Sequence, residues 1–326
     1  MNFSLYTIIN SSEINISNQS GNLAWTYQAQ TLGVNLTFDY AKVTDYEIKP
    51  GSIILLKDDD DQEVILVGIV VDRTRKGQVY NLSVYDFAFY LNKSETTIQF
   101  NKTDATTAVK QLLKKVGIEV GTIPQMNTLI TKIYVDSKIS EILHDIIEQV
   151  FLETGIKYFF EMNGSKLDIK RVGEEIFEGS FKLADNLAPI KLEDVIGKDF
   201  TITDSISELK NSIIVLSSES DFVRILETVK DQASINQYGL LQDVISIDAK
   251  DESKARNIAN QALKEFNRIA SAISLPVLGH KRLKQYRTLK INDSDMGLVG
   301  DFLILSAAHT YTGGIYKVSL SVEVRS

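Results

Sequence analysis

The sequence predicts an α+β, β-rich chain: two small antiparallel β-barrel domains, an inserted helix–helix–hairpin unit, and one long helix in the C-terminal part. Three observations predict it. Short alternating apolar runs, punctuated by turn residues, fill both ends of the chain. The hydrophobic period changes from two to about 3.6 in the middle. One hairpin sequence from the first third recurs close to the C-terminus. The expected divisions are 1–100 for the N-terminal barrel, 101–175 for the α+β unit, and 176–326 for the C-terminal barrel with its long helix over 251–273.

Leu32–Tyr40 alternates, with Val34, Leu36 and Phe38 on one face. Ile48–Ser52 (IKPGS) reads as a turn before a short strand at Ile53–Lys57. Asp58–Gln62 is a polar reversal, Glu63–Arg73 the return strand, Arg73–Gly77 a second turn and Val79–Tyr85 the next strand. This spacing suits a small antiparallel barrel or sandwich. The middle segment changes character. Asp104–Val116 carries Ala105, Val109, Leu112 and Val116 on one face and stops at Gly117. Ser137–Thr154 has the stripe Ile139, Ile142, Leu143, Ile146, Ile147 and Val150 and ends at Gly155. Asn163-Gly164 between Tyr158–Met162 and Lys166–Lys170 is a strong hairpin signal.

In the last part, Ser212–Ser217 and Phe222–Val229 read as a strand pair joined by residues 218–221. Asp251–Ile273 has apolar steps of three and four through Ala255, Ile258, Ala262, Phe266, Ile269 and Ile273. Asp251 and Glu252 suit the positive end of such a helix, and Pro276 with Gly279 would end it. From Arg287 onward the chain is strand-like. The repeat relates Gly77–Val84 (GQVYNLSV) to Gly313–Leu320 (GGIYKVSL), 236 residues apart. Gly77 falls on Gly313, Tyr80 on Tyr316, Leu82 on Val318 and Ser83 on Ser319. Chance convergence of alternating hairpins is the plain reading. The sharper one is a pair of related modules. In a three-fold oligomer these would give six similar modules around an axis, matching a six-fold partner on one side and a three-fold partner on the other.

Composition narrows the function classes. The 326 residues include 35 Lys and Arg against 43 Asp and Glu, a net charge of -8. Binding of DNA or anionic membrane through bulk charge is therefore disfavoured. There is no cysteine, which excludes disulfides, thiolate metal sites and cysteine nucleophiles. The segment Met1–Asn10 lacks a signal-peptide pattern, and the longest apolar run, Val64–Val71, is far short of the ~20 residues that span a bilayer. A soluble chain made in a cytoplasm is expected. Serine nucleophile elbows, dinucleotide loops and phosphate loops are absent from the sequence.

The remaining candidates are modest. Asp58–Asp61 lacks the glycine and distal glutamate of a calcium loop, and a solvated hairpin tip is expected. His144 and Glu148 stand one helical turn apart without the second histidine of a zinc motif, so a polar helix edge is expected. His280–Lys290 (HKRLKQYRTLK) is the basic cluster, with five Lys or Arg and no acid. It suits an acidic partner surface, or simply a solvated loop. Trp25, the single tryptophan, reads as a core anchor or an interface residue. The residues singled out for an oligomer or partner interface are Trp25, Gly77, Tyr80, Lys281, Arg282, Lys284, Arg287, Gly313 and Tyr316.

One ordered series of residues resembles a known family. It runs through Trp25, Gln30-Thr31-Leu32, Ile48–Ser52, Leu66–Val70 (LVGIV), Tyr85-Asp86, Tyr90–Lys93 (YLNK), Tyr238–Gln242 (YGLLQ), Gly300–Ile304 (GDFLI) and Ala308–Thr310 (AHT). The chain resembles the XkdQ/YqbQ-like baseplate hub proteins of contractile phage tails and phage-tail-like particles over nearly its whole length. The resemblance rests on order and total length, not on one sharp motif. It implies a structural hub: a homotrimer forming a ring with a central channel, with the tail tube protein on one face, the spike protein on the other, and baseplate wedge proteins around it. Gly77–Tyr85 and Gly313–Val322 are then expected in the ring wall. The resemblance implies no catalytic residue, no cofactor and no metal, and no sequence-specific nucleic-acid binding, although DNA would pass through the channel. It places the chain in a phage tail or a bacteriocin-like particle. The competing classes are a tail-associated peptidoglycan hydrolase and a carbohydrate-binding tail-tip protein.

Overall fold

The computed structural model describes residues 2–29, 32–42, 47–178, 201–218, 223–247, 249–293 and 298–325. The alternating segments at both ends form strands, and they belong to one 13-stranded sheet. Along its main path the strands follow the order Thr201–Ser205, Ala270–Leu278, Ile315–Val324, Leu298–Thr312, Ser20–Gln28, Asn35–Ala41, Val79–Asp86, Val64–Lys76, Ile53–Asp58, Phe3–Ile9 and Ser12–Asn15. Thr288–Asp293 pairs with Leu298–Thr312, and Ile176–Glu178 runs parallel to it.

The expected β-rich α+β class is seen, with mainly antiparallel pairing. The expected two separate barrels are not what the pairing gives. The strand Leu298–Thr312 pairs with Ser20–Gln28, from Ser306 opposite Gln28 to Tyr311 opposite Leu23, and so joins the two ends of the chain. No pairing among the described residues closes either half on itself. The reason is that buried strand edges need partners for every N–H and C=O, and each half finds its partner in the other. The core follows the sheet: Leu36, Phe38, Leu82 and Val84 from the N-terminal part share one apolar cluster with Leu275, Ile304, Val318 and Leu320 from the C-terminal part.

The helices and hairpin of the middle segment share a second apolar cluster, to which Leu32, Ala88, Leu91 and Phe100 also contribute. The helix Ala105–Val116 starts where Asp104 accepts a hydrogen bond from Thr107 N at 2.9 Å, and it ends at Gly117. The helix Ile139–Thr154 ends at Gly155. Their stripes, including Val109, Leu112, Ile142, Leu143 and Ile146, pack with Phe160 and Leu167 of the expected Asn163-Gly164 hairpin. An antiparallel pair, Glu95–Asp104 with Leu129–Lys138, flanks these helices. It has no counterpart in the sequence reading, because its apolar residues do not alternate cleanly.

The long helix is shorter than expected. Residues 249–254 form a 3-10 turn and the α-helix spans Ala255–Phe266. The chain turns at Asn267, whose Nδ2 donates to Asp231 Oδ2 at 2.8 Å, and then enters the strand Ala270–Leu278. Ile269 and Ile273 are therefore not part of the helical stripe, and Pro276 lies inside a strand instead of ending a helix. The overlooked signal is the alternation of Ile273, Leu275 and Val277, all buried. The strand pair Ser212–Ser218 and Val223–Lys230 is present, with Gln242–Ile247 added parallel to it. The expected turn at 218–221 lies largely outside the described residues.

Candidate functional site

The two related hairpins superpose in register as well as in sequence. In the first, Lys76 faces Val79, Arg75 faces Tyr80, and the pairing continues to Asp72 opposite Ser83. In the second, Thr312 faces Ile315, Tyr311 faces Tyr316, and Ala308 faces Ser319. From the turn to Asp72 opposite Ser83, each pair corresponds at the same 236-residue offset. Burial corresponds too: Val79 and Ile315 are exposed, whereas Leu82, Val84, Val318 and Leu320 are buried. Gly77 and Gly313 open the two-residue loops at φ +64° and +59°, a left-handed conformation that a side chain resists. Each long strand then bulges by one residue, but at positions two residues apart in the two copies: between Val70 and Asp72 in one, and between Ile304 and Ser306 in the other.

Around the junction of the two halves lies an aromatic cluster. Trp25, 1% exposed, stacks on His309 with ring centroids 4.9 Å apart and meets Phe3 edge-on at 5.1 Å. His309 sits between two partners. Its Nε2 is 2.8 Å from the Leu283 carbonyl, which can only accept, so Nε2 carries the proton. Its Nδ1 therefore accepts from the Tyr316 hydroxyl at 2.6 Å. A neutral ring is required, and burial pushes the imidazole down to about 3.

The acid response follows from this geometry. The contribution of His309 to stability is complete above its unfolded value near 6.5, and it is lost as pH falls toward 3, at roughly 1.4 kcal/mol per pH unit. Asp86 runs the other way. It is buried, accepts from Val34 N and Ala88 N at 2.9 and 3.1 Å, and burial pushes its carboxyl up to about 7. Its contribution is complete below the ordinary carboxylate range and lost as pH rises through 7. The two oppose each other between pH 4 and 6.5. His309→Gln removes the first and leaves the second. Its urea midpoint should therefore gain on the parent as pH falls from 6.5 to 4; parallel curves for both proteins would refute the assignment.

The basic segment 281–287 does not stand as a free cationic patch. Lys281, with 11% of its side chain exposed, is held by the acidic hairpin: Asp58 Oδ2 at 3.0 Å, Glu63 Oε2 at 2.8 Å, and Asp61. The Asp58–Asp61 tip is thus only partly solvated, since Asp58 is fully buried. Arg287 reaches Glu161 Oε2 at 2.6 Å and Glu175 Oε2 at 2.8 Å. Lys170 reaches Glu175 at 3.0 Å and Glu161 Oε1 at 3.6 Å, while Lys284 lies 3.7 Å from the same Glu161 oxygen. Burial works against the Glu161 charge, but Arg287 and then Lys284 hold its carboxyl below the usual range. These side chains line a cleft of about 300 Å³ between the N-terminal hairpin, the Asn163-Gly164 turn and the 281–287 loop.

The residues singled out from sequence are therefore divided. Trp25, Tyr316 and Arg287 are buried and spent on contacts within the chain, as is most of Lys281. Gly77, Gly313 and Arg282 are exposed, and Tyr80 is half-buried with the Arg73 guanidinium 5.1 Å from its ring centre. Glu161, Glu175, Lys170 and His309 were missed. They come from distant segments, and of the four only His309, within Ala308–Thr310, lay in a stretch that the resemblance had marked. His144 packs edge-on against Phe160 at 5.7 Å, and burial pushes it down. Among the described residues, no group of three His, Asp or Glu is placed to hold a metal.

A model of a family described as YQBQ-like matches residues 23–323. The fold is similar to that of the 43 kDa tail protein of prophage MuSo2 from Shewanella oneidensis, with TM-score 0.68 and 15% identity over 98% of each chain. It is also similar to a tail protein from Neisseria meningitidis MC58, with TM-score 0.71 and 11% identity over 99% of this chain and 97% of that one. An Escherichia coli component of the type VI secretion system, itself described as similar to the T4 tail proteins gp27 and gp5, aligns with TM-score 0.58 at 9% identity, covering 94% of this chain and 74% of that one. No curated protein sequence matches the chain. At such identities the likeness to the solved structures is one of fold.

Proposed function

The chain belongs to the YQBQ-like family, and from that premise we propose that it is the structural baseplate hub of a contractile tail or tail-like injection particle. Three copies form a ring around a central channel that joins the tail tube protein to the spike protein, with wedge proteins on its outer side. The observation that carries this reading is the pair of register-matched hairpins in one sheet. Three chains present six such hairpins, so one ring can meet a six-fold tube and a three-fold spike. The two halves of the sheet act as the repeated modules.

Both ends of the large sheet support assembly. Ser12–Asn15 and Thr201–Ser205 each pair on one side only among the described residues. Unpaired backbone edges are ready sites for another chain. Obligate interfaces of this kind commonly bury more than about 2,000 Å². The chain works by geometry and carries no reaction. DNA or another cargo passes through the channel without sequence-specific contact, and the protein resides in the assembled tail. No helix among the described residues is long and apolar enough to cross a membrane.

Size-exclusion chromatography with light scattering tests the proposal. A mass of three 36.5 kDa chains is expected, alone or on addition of the tube and spike partners. A monomer at every concentration, with those partners present, overturns it. A cell-wall zymogram should show no clearing; a cleared band would favour the hydrolase reading instead.

A further inference from the structure

The cleft between the hairpin turn at Asn163-Gly164 and the 281–287 loop holds more positive charge on one wall than its own carboxylates satisfy. Two ammonium groups converge on Glu161 Oε1, Lys170 at 3.6 Å and Lys284 at 3.7 Å, and neither is close enough to donate a good hydrogen bond to it. The other Glu161 oxygen is taken by Arg287 at 2.6 Å. Lys170 has Glu175 at 3.0 Å, whereas Lys284 makes no hydrogen bond among the described residues and faces the Tyr27 ring, whose centre is 5.4 Å from its Nζ. Its side chain is only 19% exposed, so little water replaces the missing acceptor. Arg282, exposed on the rim of the same cleft, has no ion partner among the described residues. The opposite wall is closed off electrostatically, because Glu63 is already bound by Lys281 at 2.8 Å.

We propose that this cleft is an oxyanion site, in which a carboxylate or phosphate group takes the donors of Lys284 and Arg282 and is bridged to Lys170. A single oxyanion can accept from two ammonium groups that share one carboxylate neighbour, and it adds a guanidinium contact at the rim. The volume of about 300 Å³ admits such a group. The net charge of the whole chain is -8, so general attraction does not account for anion binding here. The inference concerns the isolated chain and stands or falls separately from the ring proposal. If an acidic side chain of a neighbouring protein is the occupant, the cleft becomes a docking point for the assembly.

Titration of the full-length chain tests this in two arms, one with inorganic phosphate and one with a penta-glutamate peptide, each followed by calorimetry and by thermal shift at constant ionic strength. Saturable binding in either arm supports the site, and the arm that binds identifies whether the oxyanion is free or protein-borne. Lys284→Met should weaken that binding about tenfold, the usual size of a lost charge-assisted hydrogen bond. Lys284 is largely buried, so Arg282→Ala provides a second variant that leaves the packing intact, with a smaller loss expected. The control Arg75→Ala/Lys76→Ala, on an exposed basic hairpin tip elsewhere, should bind as the parent does. No saturable binding in either arm overturns the proposal, and so does equal weakening by the control.

Discussion

Replacing Arg287 with methionine should lower the unfolding free energy by about 3–5 kcal/mol, the cost of leaving a buried charge without its partner. The side chains of Arg287 and Glu161 are 6% and 9% exposed and 2.6 Å apart, so water cannot take over the vacated contact. Lys170 and Lys284 would still face Glu161, but at 3.6 and 3.7 Å they compensate only in part. Converting the pair together, Arg287→Met with Glu161→Leu, should cost less than the sum of the two single changes, because no buried carboxylate is left unpaired, while Lys284 loses its one carboxylate neighbour within ion-pair distance among the described residues. Urea unfolding of the parent, both single variants and the double variant gives the coupling directly. A loss under about 1 kcal/mol for Arg287→Met would mean that the pair behaves like a solvated surface bridge. The prediction reaches beyond stability. Arg287 follows the loop from the C-terminal half, whereas Glu161 lies on the Asn163-Gly164 hairpin, so this contact is one of several that tie the hairpin to the sheet, with Thr288 donating to the Gly173 carbonyl and Phe159 against Tyr286.

The second large effect is expected at the junction of the two halves. Trp25→Ala should cost about 3–5 kcal/mol, the range for emptying a large aromatic site in a core. Trp25 lies on the strand that pairs with Leu298–Thr312, directly opposite His309, and its ring stacks on that histidine and on Tyr316 at 4.9 and 5.6 Å. The cavity would therefore open where the N-terminal and C-terminal strands are joined. Trp25→Phe should be much milder, since the indole Nε1 has no hydrogen-bond partner among the described residues and its removal eliminates a buried orphan donor. Because the chain has one tryptophan, its fluorescence reports this junction alone. Emission should be blue-shifted in the native protein and shift red in the same transition as the circular dichroism signal. An early separate red shift would show that the two halves part before the rest unfolds.

Several elements were legible because their signals are local. Asp104, the 3.6-residue stripe and Gly117 define one helix within a single stretch of chain. Asn163-Gly164 defines a hairpin in the same way. The repeat was legible for a related reason: a hairpin fixes its own register through its turn, so similar residues around Gly77 and Gly313 predict similar pairing. The long helix failed at its end because the same residues fit two periods. Steps of three and four reach Ile273 from Phe266, while alternation runs from Ile273 to Val277. Pairing with Thr201–Ser205 and Ile315–Val324 decided for the strand.

The charged cleft was legible only in half. The cations at 281, 282, 284 and 287 are adjacent in sequence, so they read as a patch seeking a partner outside the chain. Their carboxylates lie more than a hundred residues away, at Glu161 and Glu175, and farther still at Asp58 and Glu63. By itself the sequence determined the strand-rich class, the two helices of the inserted unit and the matched hairpins, because helix stripes, caps and turns act over a few residues. Only the tertiary structure decided that both ends share one sheet, that Trp25 and His309 meet near its centre, and that Lys281 and Arg287 of the basic loop are paired from within. Those outcomes depend on strand edges and charges finding partners across long chain separations, and no local pattern records which partner will be found.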